Sequence, residues 1–349
     1  MRIVCFHLNQ IGDLMFSLPA LKSLRDSFSP AYITSVIRPG LRQLLEWTNL
    51  ADDVLVRSPG LGSHVFSLMC ELRSRRYDLA VVFSQSAECA LLAYMTRASR
   101  RLGFVNTSLG WLLTERVSFS HPPSTANNLR LVEAAGAACT KKDYYGLLSV
   151  PLDVVEAGRR LLASTGIDES VRFAVIAPGT SKRRRLKEWT DEGFAEVARY
   201  LGTQGLRVVC VGAVASPGIA QLCPQIVDLG GRTSLVEAAG VLAGCELLVG
   251  VDSGILHMCA AMGKPVVGLY GPTNPEVTGP QGEGHIVIRS NVGCSPCRLK
   301  TCKLDRKCMK DIKPVAVIDA VSEILRRRHA SSARSGLSNS GKDFGKPTK

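Results

Sequence analysis

Three short stretches of this chain carry the groups that handle phosphate. They are Ile11-Gly12-Asp13, Gly179-Thr180-Ser181 and Asp252-Ser253-Gly254. The second runs on into Lys182, Arg183, Arg184, Arg185 and Lys187. Hydroxyls, free backbone N–H groups and cations are what a pyrophosphate needs. The third stretch has the clearest frame. An apolar run, Leu247 to Val251, precedes it, and a helical run, Ile255 to Met262, follows and stops at Gly263. In that frame the N–H groups of Ser253, Gly254 and Ile255 point outward from a helix N-terminus, which carries partial positive charge and suits an anion. A plainer reading makes Asp13 and Asp252 helix caps and the basic run a solvated loop.

A fourth constellation is Cys294, Cys297, Cys302 and Cys308. Four thiols this close together suit soft-metal ligation. A structural zinc, an iron–sulfur cluster, and reduced or disulfide-bonded thiols all stay open, because the spacing is not that of a zinc ribbon. Whichever holds, the segment stands apart from the three turns, so its expected role is structural. The other eight cysteines lie among apolar residues, as in Val209-Cys210-Val211, and read as reduced core residues.

The elements that must position these turns follow a strand–helix–strand beat. Arg2 to Leu8 is an expected strand, and Leu14, Leu18, Leu21, Leu24 and Phe28 recur at helical spacing behind Asp13. Strands follow at 32–37, 54–56 and 79–83, whereas 99–151 shows less pattern apart from a helix at 127–138. After a helix at 154–164 the beat restarts with a strand from Phe173 to Ala177. Thr190 and Ser234 are expected to cap helices, the latter in an S-x-x-E capping box with Glu237. Val266 to Tyr270 completes a βαβ unit with the third turn. The expected class is therefore α/β: two Rossmann-like, doubly wound parallel-sheet domains facing a cleft, with the boundary in the loop near Gly166 to Val171.

Composition narrows the partners. At 349 residues the chain has room for two domains, and its 46% hydrophobic and 21% charged residues are globular proportions. No apolar run approaches the roughly 20 residues that span a bilayer. The N-terminal stretch lacks the apolar core and cleavage site of a signal peptide, so the expected location is cytoplasmic. The formal charge is +13, of which residues 326–349 carry +6. A basic chain favours an anionic partner: nucleic acid, an acidic membrane surface or a phosphorylated substrate. No nucleic-acid-binding motif accompanies the charge, so no nucleic-acid partner is expected. Residues 329–349 have few apolar side chains and are expected to form a disordered basic tail.

These pieces together resemble glycosyltransferase family 9, the lipopolysaccharide heptosyltransferase family. The resemblance rests on Ile11-Gly12-Asp13 with Leu18-Pro19-Ala20-Leu21, on Pro178-Gly179-Thr180 with Lys187-Glu188-Trp189, on Val251-Asp252-Ser253-Gly254 with His257, and on Gly271-Pro272-Thr273, in family order from residue 1 to about 325. It implies a GT-B architecture, with an acceptor-binding domain at 1–168 and a nucleotide-sugar-binding domain at 169–328 that includes the cysteine segment 294–308. It implies transfer of a sugar, heptose from ADP-heptose, to a lipopolysaccharide core or related glycan, with inversion and with no required metal. Asp13 is implied as general base. Thr180, Ser181 and Lys187 are implied to meet the donor phosphates, Ser253 and Gly254 to hold them from the other side, and Asp252 to reach the sugar hydroxyls. His257, a full turn from the phosphate end, reads as a structural hydrogen-bonder. A lipid-linked acceptor would bring the basic chain to the anionic inner membrane as a peripheral protein. The sequence departs from the family at Gly212-Ala213-Val214-Ala215-Ser216, which offers no carboxylate where a ribose-binding Glu is common. Two other readings share the fold or the charge: another nucleotide-sugar donor or an epimerase, and a non-catalytic nucleotide- or nucleic-acid-binding protein.

Overall fold

The computed structural model describes residues 1–339 apart from 61, 62, 121, 122, 298 and 300. The first half runs β1 (Arg2–His7), α1 (Ile11–Ser27), β2 (Tyr32–Ile37), α2 (Arg42–Glu46), β3 (Asp53–Val56), α3 (Ser63–Ser74), β4 (Leu79–Val82), α4 (Ala87–Met95), β5 (Arg100–Phe104), β6 (Glu115–Val117), α5 (Ser124–Ala134) and α6 (Leu152–Ala163). The second runs β7 (Phe173–Ala177), α7 (Asp191–Thr203), β8 (Arg207–Cys210), α8 (Pro217–Leu222), β9 (Val227–Asp228), α9 (Leu235–Gly244), β10 (Leu248–Val251), α10 (Gly254–Ala261), β11 (Val266–Tyr270), α11 (Pro275–Thr278), β12 (Ile286–Arg289), α12 (Lys307–Lys310) and α13 (Pro314–Asn339). The strand orders are β3-β2-β1-β4-β5-β6 and β12-β11-β10-β7-β8-β9. Counted within each half, these are the same order, and every strand pair is parallel. The connection reverses direction between β1 and β4, and again between β7 and β10. Open parallel sheets bind ligands at the carboxyl ends beside such points.

Local chemistry explains most boundaries. The Thr190 hydroxyl accepts from the Gly193 amide at 3.1 Å and starts α7. At α9 the Ser234 hydroxyl accepts from Glu237 N at 3.2 Å, while Glu237 accepts from Ser234 N at 2.8 Å, completing the expected capping box. The strands β5 and β6 interrupt the stretch that shows little pattern in sequence. They begin with charged residues, Arg100 and Glu115, and the Arg100 guanidinium grips the Glu115 carboxylate with two bonds of 2.8 and 2.9 Å. An ion pair between residues far apart in sequence leaves no periodic trace. At the other end, α13 continues to Asn339, so residues 329–339 of the expected disordered tail are helical; residues 340–349 lie outside the described residues.

The halves are joined by a continuous core in which α1, α5, α6, α9 and α10 contribute residues such as Leu18, Leu131, Leu162, Val241 and Met258. Helix α6 lies before the expected boundary yet packs on α9 of the second half. Two glycines permit this: a Cβ on Gly158 would run into the Gly240 backbone, and one on Gly240 into the Val154 carbonyl. Gly158→Ala is therefore expected to destabilise the protein by about 1–3 kcal/mol through overpacking, checked as a lower denaturant midpoint.

Candidate active site

The three phosphate-like turns lie on the carboxyl edges of β1, β7 and β10, beside the two reversal points. Helix α1 packs on α10. A Cβ on Gly254 would sit 2.8 Å from Ile11 Cβ, and one on Gly12 would sit 3.1 Å from His257 Cδ2. The first and third turns therefore touch, and the two carboxyl edges face each other there. Small residues at both positions are what let the turns approach.

Asp252 is the electrostatic centre of this junction. It is 5% exposed. Its Oδ2 accepts from Lys187 Nζ at 2.6 Å, and its Oδ1 lies 3.3 Å from His257 Nε2. The Thr278 hydroxyl approaches Oδ2 at 3.5 Å, and Lys187 Nζ also reaches the Asp252 carbonyl at 3.3 Å. Burial alone would raise the carboxyl pKa, but the His257 hydrogen bond and the Lys187 charge outweigh it and hold Asp252 far below the usual carboxylate range. His257, itself buried, lies with its Nδ1 2.9 Å from the Tyr144 hydroxyl, which accepts from the Gln281 amide at 3.2 Å. This chain of bonds orients the imidazole and agrees with a structural role for His257.

The N-terminus of α10 is capped differently from the plainer reading. Ser253, not Asp252, occupies the N-cap position, and it makes no side-chain cap bond. Its hydroxyl is buried without a hydrogen-bond partner. The first intrahelical bond runs from His257 N to Ser253 O, so the amides of Gly254, Ile255 and Leu256 have no partner within the helix. Those donors and the Lys187 ammonium converge near one carboxylate, an arrangement that suits an anionic ligand.

Asp13 sits in the first turn of α1, where its Oδ2 accepts from Gln10 N at 3.2 Å. That places it inside the helix rather than as a cap before Leu14, because α1 starts at Ile11. Its side chain remains solvent-accessible, yet the surrounding protein of the junction desolvates its carboxyl group. That enclosure raises its pKa; the Gln10 amide and the charges of His257, Arg184 and Lys187 offset only part of the rise. A reachable carboxylate with a raised pKa can act as a proton acceptor.

Thr180 and Ser181 lie on the loop after β7, and Ser181 opens the 3-10 turn Lys182–Lys187 by accepting from Arg184 N at 2.7 Å. Their hydroxyls do not touch Lys187 or Asp252. The family model for glycosyltransferase family 9 (heptosyltransferase) matches residues 65–308. The chain belongs to glycosyltransferase family 9. It is thus an enzyme, a glycosyltransferase with GT-B architecture. Among relatives of the family 9 chain, the lipopolysaccharide heptosyltransferase 2 of Salmonella typhimurium is 27% identical, covering 93% of this chain and 99% of its own length. That of Escherichia coli is 26% identical, covering 95% and 100%. Among solved structures, a family 9 glycosyltransferase from Veillonella parvula superposes with a TM-score of 0.80 at 23% identity, covering 93% of this chain and 97% of its own. Escherichia coli ADP-heptose lipopolysaccharide heptosyltransferase II gives 0.75 at 22%, covering 94% and 100%.

Two features of this family 9 site escape sequence reasoning. Tyr144 and Thr278 complete the Asp252 network, and neither stands in a motif. Arg184 reads in sequence as one more cation of the basic loop, yet its charge acts on Asp13. The loop after β8 lacks its own carboxylate, but Asp228 at the end of β9 reaches it. Its oxygens accept from Ser216 N at 2.7 Å and Gly230 N at 2.8 Å, so it ties the loop down.

Of the states left open for Cys294, Cys297, Cys302 and Cys308, the structural zinc finds no support: among the described residues, no three His, Cys, Asp or Glu side chains are grouped to hold a metal ion. The thiols share a neighbourhood, since burial first and the thiols of Cys294, Cys297 and Cys302 second push the Cys308 pKa up. They do not converge because they are differently engaged. Cys308 is buried in the second-half core, the Cys302 sulfur accepts from Arg306 N at 3.3 Å, and Cys294 is exposed. No helix among the described residues is long and apolar enough to cross a membrane.

Proposed function

We propose that this glycosyltransferase moves heptose from ADP-heptose to a lipid-linked lipopolysaccharide core, by a single inverting displacement that needs no metal. The observation that carries this reading is the pairing of an accessible Asp13 carboxylate with the cationic, amide-lined turn around Lys187 and Ser253 on the facing edge. Its relatives named as lipopolysaccharide heptosyltransferases support the sugar and the acceptor.

In this reading an acceptor hydroxyl oxygen attacks the anomeric carbon, and its proton passes to the Asp13 carboxylate. The bond from that carbon to the phosphate oxygen breaks, and the nucleoside diphosphate leaves with the electron pair. Lys187, the α10 amides, the Ser253 hydroxyl and the Thr180–Ser181 loop receive its charge. Asp252 holds Lys187 in position and offers its remaining lone pairs to sugar hydroxyls. The enzyme works in the cytoplasm, peripheral to the inner membrane that holds its acceptor.

The test is calorimetric titration of the purified protein with ADP, UDP, GDP and dTDP, followed by transfer from the matching nucleotide sugar. Selective ADP binding and transfer from ADP-heptose are expected. Preference for another nucleotide would discard heptose while keeping the transferase.

A further inference from the structure

The sheet face of the first half that turns away from the second half is covered by α3 and α4, over a core that includes Val4, Val82, Leu72 and Leu92. On the solvent side of this layer, α4 and the adjacent 3-10 turn Gly110–Leu112 display apolar side chains to water. Trp111 is 75% exposed, Tyr94 49%, Leu91 43% and Leu109 42%. Leu109 also has a left-handed backbone, φ 58°, which leucine avoids. The Arg101 guanidinium lies 5.6 Å from the Tyr94 ring centre, and its Nε and Nη1 donate to Leu112 O and Ala98 O at 2.9 and 2.6 Å. These contacts bind the turn, the end of α4 and β5 into one surface.

The same surface is cationic. At its amino-edge end, Arg73, Arg76 and Arg97 line a cavity of about 360 Å³, with Asp78 and Ser99. The nearby acids are engaged: Glu71 by Arg75 and Glu88 by Arg57, each at 2.6 Å, while Asp78 accepts from Arg2 N at 2.7 Å. Among the described residues, no salt bridge occupies Arg73, Arg76 or Arg97. Arginines at helix ends also offset the helix dipole, but that role calls for no exposed tryptophan beside them.

We propose that this face docks on the headgroup layer of an anionic bilayer. Trp111, Tyr94 and the two leucines would enter the interface, where aromatic rings are favoured, and the arginines would meet lipid phosphates. The proposal deepens the reading of a lipid-borne acceptor and rests on that reading for its purpose alone. A second copy of the chain fits less well, because two-fold pairing would set the same arginines against each other.

The test uses the full-length protein with vesicles of phosphatidylcholine alone or mixed with phosphatidylglycerol. The expected result is sedimentation with the mixed vesicles only, with a blue shift of tryptophan emission that W111F loses, since Trp189 is buried and Trp47 half-buried. Reversing three charges in R73E/R76E/R97E should weaken binding at least about tenfold. W111S serves as the second variant if the triple one folds poorly. Absence of wild-type binding, or equal binding by the variants, would overturn the proposal. So would light scattering that showed a dimer dispersed by W111S, which would assign the face to self-pairing. Transfer to a delipidated, soluble acceptor is measured in parallel and should survive in every variant. If wild-type protein binds the vesicles but transfers nothing, the proposed function fails instead.

Discussion

Asp13→Asn should keep donor binding and lose about 10²–10⁴-fold in turnover, the usual cost of removing a general base. The substitution separates two roles of one side chain. Asp13 also accepts from the Gln10 amide in the first turn of α1. An Asn carbonyl can take that bond, so the helix start is kept while the proton acceptor is lost. Asp13→Ala would remove both and confuse the outcome with a capping loss of roughly 1 kcal/mol. The pH profile adds a second check. A base acts only when deprotonated, so activity should fall as pH drops through the Asp13 pKa. Its enclosure at the junction raises that pKa above the ordinary value of 3.8, so the acid limb should lie above 3.8 as well. Steady-state rates against pH, with calorimetric donor titration of the variant, measure both. Undiminished turnover in Asp13→Asn would remove it from the mechanism.

Lys187→Ala should act on both binding and stability. The ammonium stands 2.6 Å from Asp252 Oδ2, at a site where the lysine side chain is 15% exposed and the aspartate 5%. Without it a buried carboxylate keeps only His257 and Thr278 as side-chain partners. Breaking such a pair by removing one member costs roughly 3–5 kcal/mol. The pH dependence follows from the sign of the shift. The folded pKa of Asp252 is depressed, so its contribution to stability is complete above the unfolded value and is lost as pH falls toward the folded one. In Lys187→Ala that acid-side loss should shrink, because the folded pKa rises toward the unfolded one. On the functional side, the leaving diphosphate loses a charge-assisted partner, and a fall in turnover of about 10²–10³-fold is expected, together with weaker donor binding. Denaturant unfolding and donor titration separate the two effects. Lys187→Arg keeps the charge and should restore much of the stability without full turnover, since a planar guanidinium does not replace a compact ammonium.

The parts of this molecule that were legible in sequence are those set by neighbours along the chain. Strands β2, β7 and β11 fall on the expected residues, because a short apolar run between turn residues has few other solutions. The caps at Thr190 and Ser234 were visible because capping bonds span three residues. The βαβ unit around Asp252 was visible for both reasons. The residues named for chemistry follow the same division. Asp13, Lys187, Asp252 and Ser253 each stood out as a type in a turn, and the fold gathers them at one junction. Thr180 and Ser181 share that edge without touching the others.

What remained hidden depends on pairs distant in sequence. The Arg100–Glu115 ion pair defines an edge that carries almost no alternating pattern. Tyr144 comes from the irregular connection between α5 and α6 and becomes the partner of His257 only when α10 is packed against it. Lys187 and Asp252 were each expected to meet a donor, but their bond to each other follows from the adjacency of β7 and β10, strands separated by two others along the chain. The cysteine spacing was equally visible, yet the packing of Cys308 into the core and the exposure of Cys294 keep the thiols from converging. Local sequence specifies which groups are available and which elements carry them, because hydrogen-bond periods and caps act over a few residues. Their distances, burial and pKa shifts come from packing across the chain, which brings together side chains that no local pattern relates.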